Sequence, residues 1–166
     1  MLQPETPVAH IRAARAADVE SIHAMIRTMA GDMGMTDRIR SQAGDILRYG
    51  FSDPPCFHGL IAEQGARPVG LCLYFFSFST WMGRRGVYVQ DLYVDDTERG
   101  TGLGRRLIAE TARLAGEQGA TYMRLSVDQG NTAAQEFYSR IGMERSRHEC
   151  IFRATGEQFE ALKGMG

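Results

Sequence analysis

The hydrophobic pattern changes period between residues 84 and 115. Val87, Tyr88, Val89, Leu92, Tyr93 and Val94 form a β-branched and aromatic run with the composition of a strand. A polar turn, Asp95-Asp96-Thr97-Glu98, closes it. After Arg99-Gly100-Thr101-Gly102-Leu103-Gly104, the residues Leu103, Leu107, Thr111 and Leu114 recur three and four apart, which predicts a helix with those side chains on one face. Three glycines therefore lie between a strand and the first turn of a helix.

Elsewhere the pattern predicts a short strand over Val8–Ala13 and a helix opening at Asp18. That helix turns Val19, Ile22, Met25, Ile26 and Met29 inward as far as about Ala30, and Gly31-Asp32-Met33-Gly34-Met35 breaks it. A shorter helix over Ala43–Tyr49 ends at Gly50. Phe57–Glu63 and Pro68–Phe78 read as strands joined at Gln64-Gly65-Ala66-Arg67. Trp81-Met82-Gly83 turns the chain into the central strand. Gly119 stops the glycine-loop helix, and Thr121–Val127 is a strand, Thr132–Ile141 a helix, Arg147–Arg153 a final strand and Thr155–Lys163 a short helix. This order implies a mixed α/β (α+β) fold around a largely antiparallel sheet. The helical crossover from the central strand to Thr121–Val127 makes one pair parallel. With no linker, repeat or low-complexity segment, residues 1–166 read as a single domain.

Composition narrows the function. A net charge of −1 gives no basic field for nucleic acid or a membrane surface, and no run approaches the roughly 18 apolar residues of a membrane span. The N-terminus lacks an apolar signal core. Cys56, Cys72 and Cys150 are odd in number and far apart, the usage of reduced, buried thiols in a cytoplasmic protein. His10, His23, His58 and His148 have no metal-ligand spacing, so no metal is expected.

The glycine stretch carries the candidate chemistry. The first N–H groups of a helix lack internal partners, and the helix dipole makes that end positive. Glycine admits a ligand close to the backbone, and no Ser or Asp directly before Leu103 competes as a cap. Arg99, Arg105 and Arg106 add positive charge, which an anion such as a pyrophosphate would balance; a glycine-rich turn with solvated arginines is the alternative. The dinucleotide fingerprint fails, because its third glycine would fall on Arg105 or Leu107. The Walker loop fails as well, since the only lysine is Lys163.

The spacing Arg99-x-x-Gly102-x-Gly104 at a strand–helix junction fits the pattern Arg/Gln-x-x-Gly-x-Gly/Ala. On that motif, together with Phe51–Glu63, Tyr88–Val94 and Asn131–Tyr138, the chain resembles the GNAT superfamily of acetyl-CoA-dependent N-acetyltransferases, and within it the spermidine/spermine (diamine) acetyltransferase branch. The resemblance runs from about Ile11 to Phe152 and implies the GNAT fold, in which the two parallel strands splay at the coenzyme. It implies acetyl-CoA held by Leu92, Tyr93, Val94, Arg99, Gly100, Thr101, Gly102, Leu103, Gly104, Arg105, Asn131 and Ala134. It also implies Tyr138 as the acid that protonates the departing thiolate, and a homodimer formed through the aromatic strand and the C-terminal segment.

Where the branch reads Tyr-x-Glu-Asp, this chain reads Tyr88-Val89-Gln90-Asp91. A glutamine cannot serve as a base but can orient a water, so deprotonation of the amine is expected to pass through water near Gln90. By strand alternation Asp91 should face away from Gln90, unless a bulge redirects it. Asp32, Trp81 and Asp91 are candidates to meet a cationic acceptor, with Trp81 stacking on it. No cysteine falls in a motif position, which favours direct transfer in a ternary complex. The expected acceptor is a small-molecule primary amine, diamine-like or amino-acid-like. Protein lysine, an aminoglycoside-type antibiotic, and a catalytically weak acyl-CoA-binding role remain the alternatives.

Overall fold

The computed structural model describes residues 8–165. Within them the chain divides into two compact units, one ending at Ser126 and one beginning at Val127.

The first unit is a five-stranded sheet in the order β1-β2-β3-β4-β5, carrying helices α1–α3. Its strands are β1 (His10–Ala13), β2 (His58–Gln64), β3 (Arg67–Ser79), β4 (Arg84–Val94) and β5 (Ala120–Leu125). β1 to β4 pair antiparallel, and β4 and β5 pair parallel, as the crossover predicted. α1 (Val19–Asp32) and α2 (Ala43–Gly50) supply Ile22, Met25 and Ile46 to a core shared with Ile61, Leu71, Leu73 and Tyr93. α3 (Leu103–Glu117) buries Leu103, Leu107 and Thr111 of the face its spacing predicted, together with Ile108 and Ala115, while Leu114 is only half-buried. The Thr111 hydroxyl donates to the Cys72 sulfur at 3.2 Å, which satisfies the one polar side chain on that face.

Local chemistry explains the element starts. The Asp18 carboxylate accepts from the Arg15 backbone N–H at 2.6 Å, and Asp45 accepts from Gln42 N–H at 2.8 Å at the start of α2. Gly31 does not break α1. The helix runs on through Asp32, because the N–H groups of Met33 and Gly34 still find Met29 and Gly31 carbonyls.

β4 is irregular at its centre. Leu73 lies opposite Asp91 while Tyr74 lies opposite Val89, so Gln90 is an extra residue, a β-bulge. Pairing of β4 with β5 stops at Val89–Leu125. From Gln90 to Val94 the strand pairs with β3 alone among the described strands. On the other side of the bulge, Gly86 lies directly beneath the Tyr122 ring, whose hydroxyl is 3.3 Å from Ser77 Oγ.

The second unit holds α4 (Thr132–Arg140) and α5 (Glu157–Lys163). Asn131 Oδ1 accepts from Ala134 N–H at 3.0 Å and caps α4. The strand predicted over Arg147–Arg153 does not form: the segment is irregular, with Ile151 and Phe152 exposed. Its short apolar run satisfies a strand's composition but meets no ladder, and a strand is defined by its partner. Cys72 is buried, whereas Cys56 and Cys150 are exposed, contrary to the expectation that all three thiols are buried; all three are free. No described helix is long and apolar enough to cross a membrane.

Candidate active site

The start of α3 has the geometry the glycines suggested. Gly100 and Gly102 take φ of 81° and 84°, a left-handed conformation that strains any residue with a Cβ. No side chain caps the helix at Gly102, and the space above both glycines is open for 4 Å. The orphan N–H groups of the first turn therefore face an unobstructed approach. Of the three arginines, Arg105 is exposed with no ion pair among the described residues. Arg106 turns away and donates to the Ala9 carbonyl at 2.7 Å. Arg99 reaches back to the Val94 carbonyl at 3.3 Å and pairs with Asp32 and Asp96, each at 2.7 Å. An uncapped, glycine-opened helix terminus with a free arginine in its first turn fits the pyrophosphate of a coenzyme.

The second half of β4 borders this loop. Because of the bulge, Asp91 shares a face with Leu73, Leu71 and Tyr93, the face covered by α1 and α2, while the Gln90 side chain is exposed. Asp91 is half-buried, and burial pushes its carboxyl above the usual carboxylate range. It has no hydrogen bond or ion pair among the described residues. Burial likewise raises the Tyr93 phenol.

A cavity of about 230 Å³ opens on the same face, lined by Ile22, Phe51, Phe57, Leu73 and His58 among others. His58 stacks on Tyr74 at 5.5 Å and meets Phe76 edge-on at 5.4 Å, with the Arg85 guanidinium 3.8 Å over the Phe76 ring. Burial, then the charge of Arg85, lowers the His58 pKa and favours the neutral imidazole.

The predicted site residues fall into three groups. Gln90 to Val94 and Arg99 to Arg105 form one continuous stretch of strand end and loop. Asp32, at the end of α1, joins this stretch through Arg99, a contact between residues 67 apart that no local pattern announces. Trp81 stands at the β3–β4 turn, 99% exposed. Asn131, Ala134 and Tyr138 lie on α4 in the second unit, where the Tyr138 ring packs edge-on against Phe137 at 5.0 Å.

Comparison with known proteins decides the family. Residues 16–143 match the model described as "Acetyltransferase (GNAT) family", a match that runs across the boundary between the two units. The chain belongs to the GNAT acetyltransferase family. This acetyltransferase is 34% identical to the thialysine N-epsilon-acetyltransferase of Bos taurus, over 93% of its own length and 96% of the relative's. It is 31% identical to the human spermidine/spermine N(1)-acetyltransferase-like protein 1, over 95% of this chain and 24% of that longer protein. Among solved structures, an integron cassette protein from V. cholerae shares the fold with a TM-score of 0.79 at 20% identity, covering 95% of this chain and 98% of the other. The acetyltransferase is thus an acetyl-CoA-dependent N-acetyltransferase of the spermidine/spermine-like branch, and the mixed sheet with its parallel β4–β5 pair is the GNAT fold.

Proposed function

We propose that the chain, residues 1–166 acting as one catalytic domain, acetylates the primary amine of a small diamine-like or amino-acid-like molecule by direct transfer in a ternary complex. The observation that carries this reading is the near full-length similarity to a relative named for acetylating thialysine. Bound acetyl-CoA supplies the activated acetyl thioester. In the same reading the N–H groups of Leu103, Gly104 and Arg105, opened by Gly100 and Gly102, hold its pyrophosphate. Thr101, Arg105 and Arg99 border it, Leu92 to Val94 offer the unpaired edge of β4, and Asn131 and Ala134 contribute from the start of α4.

The remaining tasks are proton transfers. An alkylammonium of pKa near 10 must lose a proton before nitrogen can attack, and the leaving thiolate must gain one. The Tyr138 phenol is an O–H donor and serves as the acid. Gln90, exposed on the bulge, orients the water through which the amine is deprotonated. Asp91 recognises the cationic acceptor, whereas Trp81, at the β3–β4 turn before the start of the strand, stands apart from it. Asp32 is already neutralised by Arg99 and would serve only by releasing it. Two copies associate through the exposed Phe78, Trp81 and Met82 and the C-terminal segment, and the enzyme works in the cytoplasm, in keeping with its unpaired thiols.

A thiol-release assay over polyamines, diamines, amino acids, an aminoglycoside and a lysine peptide tests the reading. Turnover confined to small amines and reduced in Tyr138→Phe is the expected result. Acetyl-CoA binding without turnover on any amine would instead mark a binding module, and preference for the lysine peptide would move the substrate to protein.

A further inference from the structure

We infer that the acceptor carries its amine on an apolar, uncharged tail, and that the cavity between α1, α2 and the β2–β3 ladder holds that tail. The inference rests on the proposed amine acetylation and chooses between the acceptors it allows: an amino-acid-like amine with an apolar side chain fits, and a diamine does not.

Small residues build the cavity into the fold. α2 ends at Gly50, where a Cβ would lie 2.6 Å from the Phe57 ring, so that ring packs directly on the helix end. The Cys56 N–H donates to the Tyr49 carbonyl at 2.8 Å and ties the loop before β2 to the same turn. On the floor Gly59 has no side chain, and Leu73 and Ala14 stand 3.0 and 3.1 Å from where its Cβ would be. Ile22 and Leu73 are buried and close the deep end, while the half-buried rings of Phe51 and Phe57 lie toward solvent. The space left is about 230 Å³, more than the ~150 Å³ of a dry apolar void that takes up benzene.

Its position suits a substrate tail. Leu73 lies directly opposite Asp91 in the ladder, so the deep end is one strand spacing, about 5 Å, from the backbone that carries this carboxylate. Both are on the face over which α1 and α2 pack. An amine held at Asp91 therefore has the cavity beside it across a single residue.

The lining decides the chemistry of the tail. Among the described residues no Asp, Glu, Lys or Arg borders the cavity. Tyr74, next to Leu73 along β3, points to the other face with the His58 ring stacked on it. The floor's backbone is already paired, since the Ala14 N–H donates to the Gly59 carbonyl at 2.8 Å. Asp32, the other carboxylate the sequence offers to a cation, is held by Arg99 at 2.7 Å. A second ammonium entering this space would lose its water and gain no counter-charge, whereas each methylene that enters gains by leaving water.

The test uses the full chain and primary amines from methylamine to decylamine, those from propylamine upward paired with the diamine of the same length. kcat/KM should rise about threefold to fourfold per methylene until the cavity is full and then level off. Hexylamine should exceed 1,6-diaminohexane by about tenfold or more, and norleucine should exceed lysine in the same sense. Ala14→Leu, which adds volume at the floor, should flatten the rise. Phe57→Ala should move the plateau to longer chains, a gain that damage to the fold would not give. Independently of turnover, 1-hexanol, a tail without an amine, should shift the methyl resonances of Ile22 and Leu73 in the parent and not in Ala14→Leu. Diamines turned over as well as their monoamines, or a rate indifferent to chain length, overturn the inference and leave the acetylation reading standing. Methyl resonances that hexanol does not move overturn it as well. Absence of turnover by the parent on every amine overturns both.

Discussion

The two halves of β4 are built to opposite rules. From Arg84 to Val89 the strand is bonded on both edges, to β3 and to β5, and Tyr122 presses against it at Gly86 so closely that no side chain fits between. Among the described residues, from Gln90 to Val94 one edge is left without a ladder, a bulge interrupts the alternation, and a carboxylate sits half-buried without a partner. The first half has the satisfied polar groups and tight packing that make a sheet stable. The second half keeps unsatisfied groups at the place where a substrate and a coenzyme would satisfy them. Stability and function are thus separated along one strand, with Gln90 as the boundary.

The largest way to break that separation is Gly86→Ala. A Cβ there would lie 2.1 Å from the Tyr122 ring, so we expect a loss of about 2–3 kcal/mol, seen in denaturant unfolding, with coenzyme affinity of the folded protein unchanged. Gly102→Asp acts on the other side of the boundary. The left-handed backbone makes it lose about 1–2 kcal/mol of stability, and the new carboxylate competes with a phosphate for the same N–H groups. Calorimetry should show the acetyl-CoA dissociation constant rising about tenfold or more.

Arg12→Met tests the far edge of the sheet, where neither half of β4 lies. The Arg12 guanidinium holds the carboxyls of Asp18 and Glu63 below the usual range. A depressed carboxyl contributes stability that is fully present above its unfolded pKa of about 4 and is lost as pH falls through its folded value. The substitution should cost about 1.5 kcal/mol at neutral pH, between exposed and buried pairs, and the two stability curves should converge on acidification. Asn131→Ala removes the cap of α4 and should cost about 1 kcal/mol or less, the smallest effect in this series, read by thermal unfolding.

Most of the architecture was legible because it is written locally. The period change from β4 to α3, the helix start at Asp18, and the glycines at 100 and 102 each depend on residues within a turn of one another. What was not legible depends on pairing between distant segments. The bulge was foreseen only as a condition, since its position is set by which β3 residue opposes Asp91, and a single strand does not carry that information. The Arg99–Asp32 pair joins the loop to the end of α1 and removes Asp32 from the set of free carboxylates, a redistribution of charge that spacing cannot reveal. Arg106 was grouped with the loop arginines on sequence grounds, yet its long side chain reaches the Ala9 carbonyl instead. Arg147–Arg153 failed as a strand for the complementary reason: the short apolar run Cys150-Ile151-Phe152 gives a segment the means to pair but not a partner.

The contact between Gly86 and Tyr122 also constrains how this chain can diversify. The ring occupies the volume a side chain at position 86 would need, so any larger residue there demands a smaller one at 122, and a smaller residue at 122 alone leaves a void beside the parallel pair. Neither single change is neutral. The two positions are therefore expected to be inherited as a pair, and a sequence that changes one should be found to have changed the other.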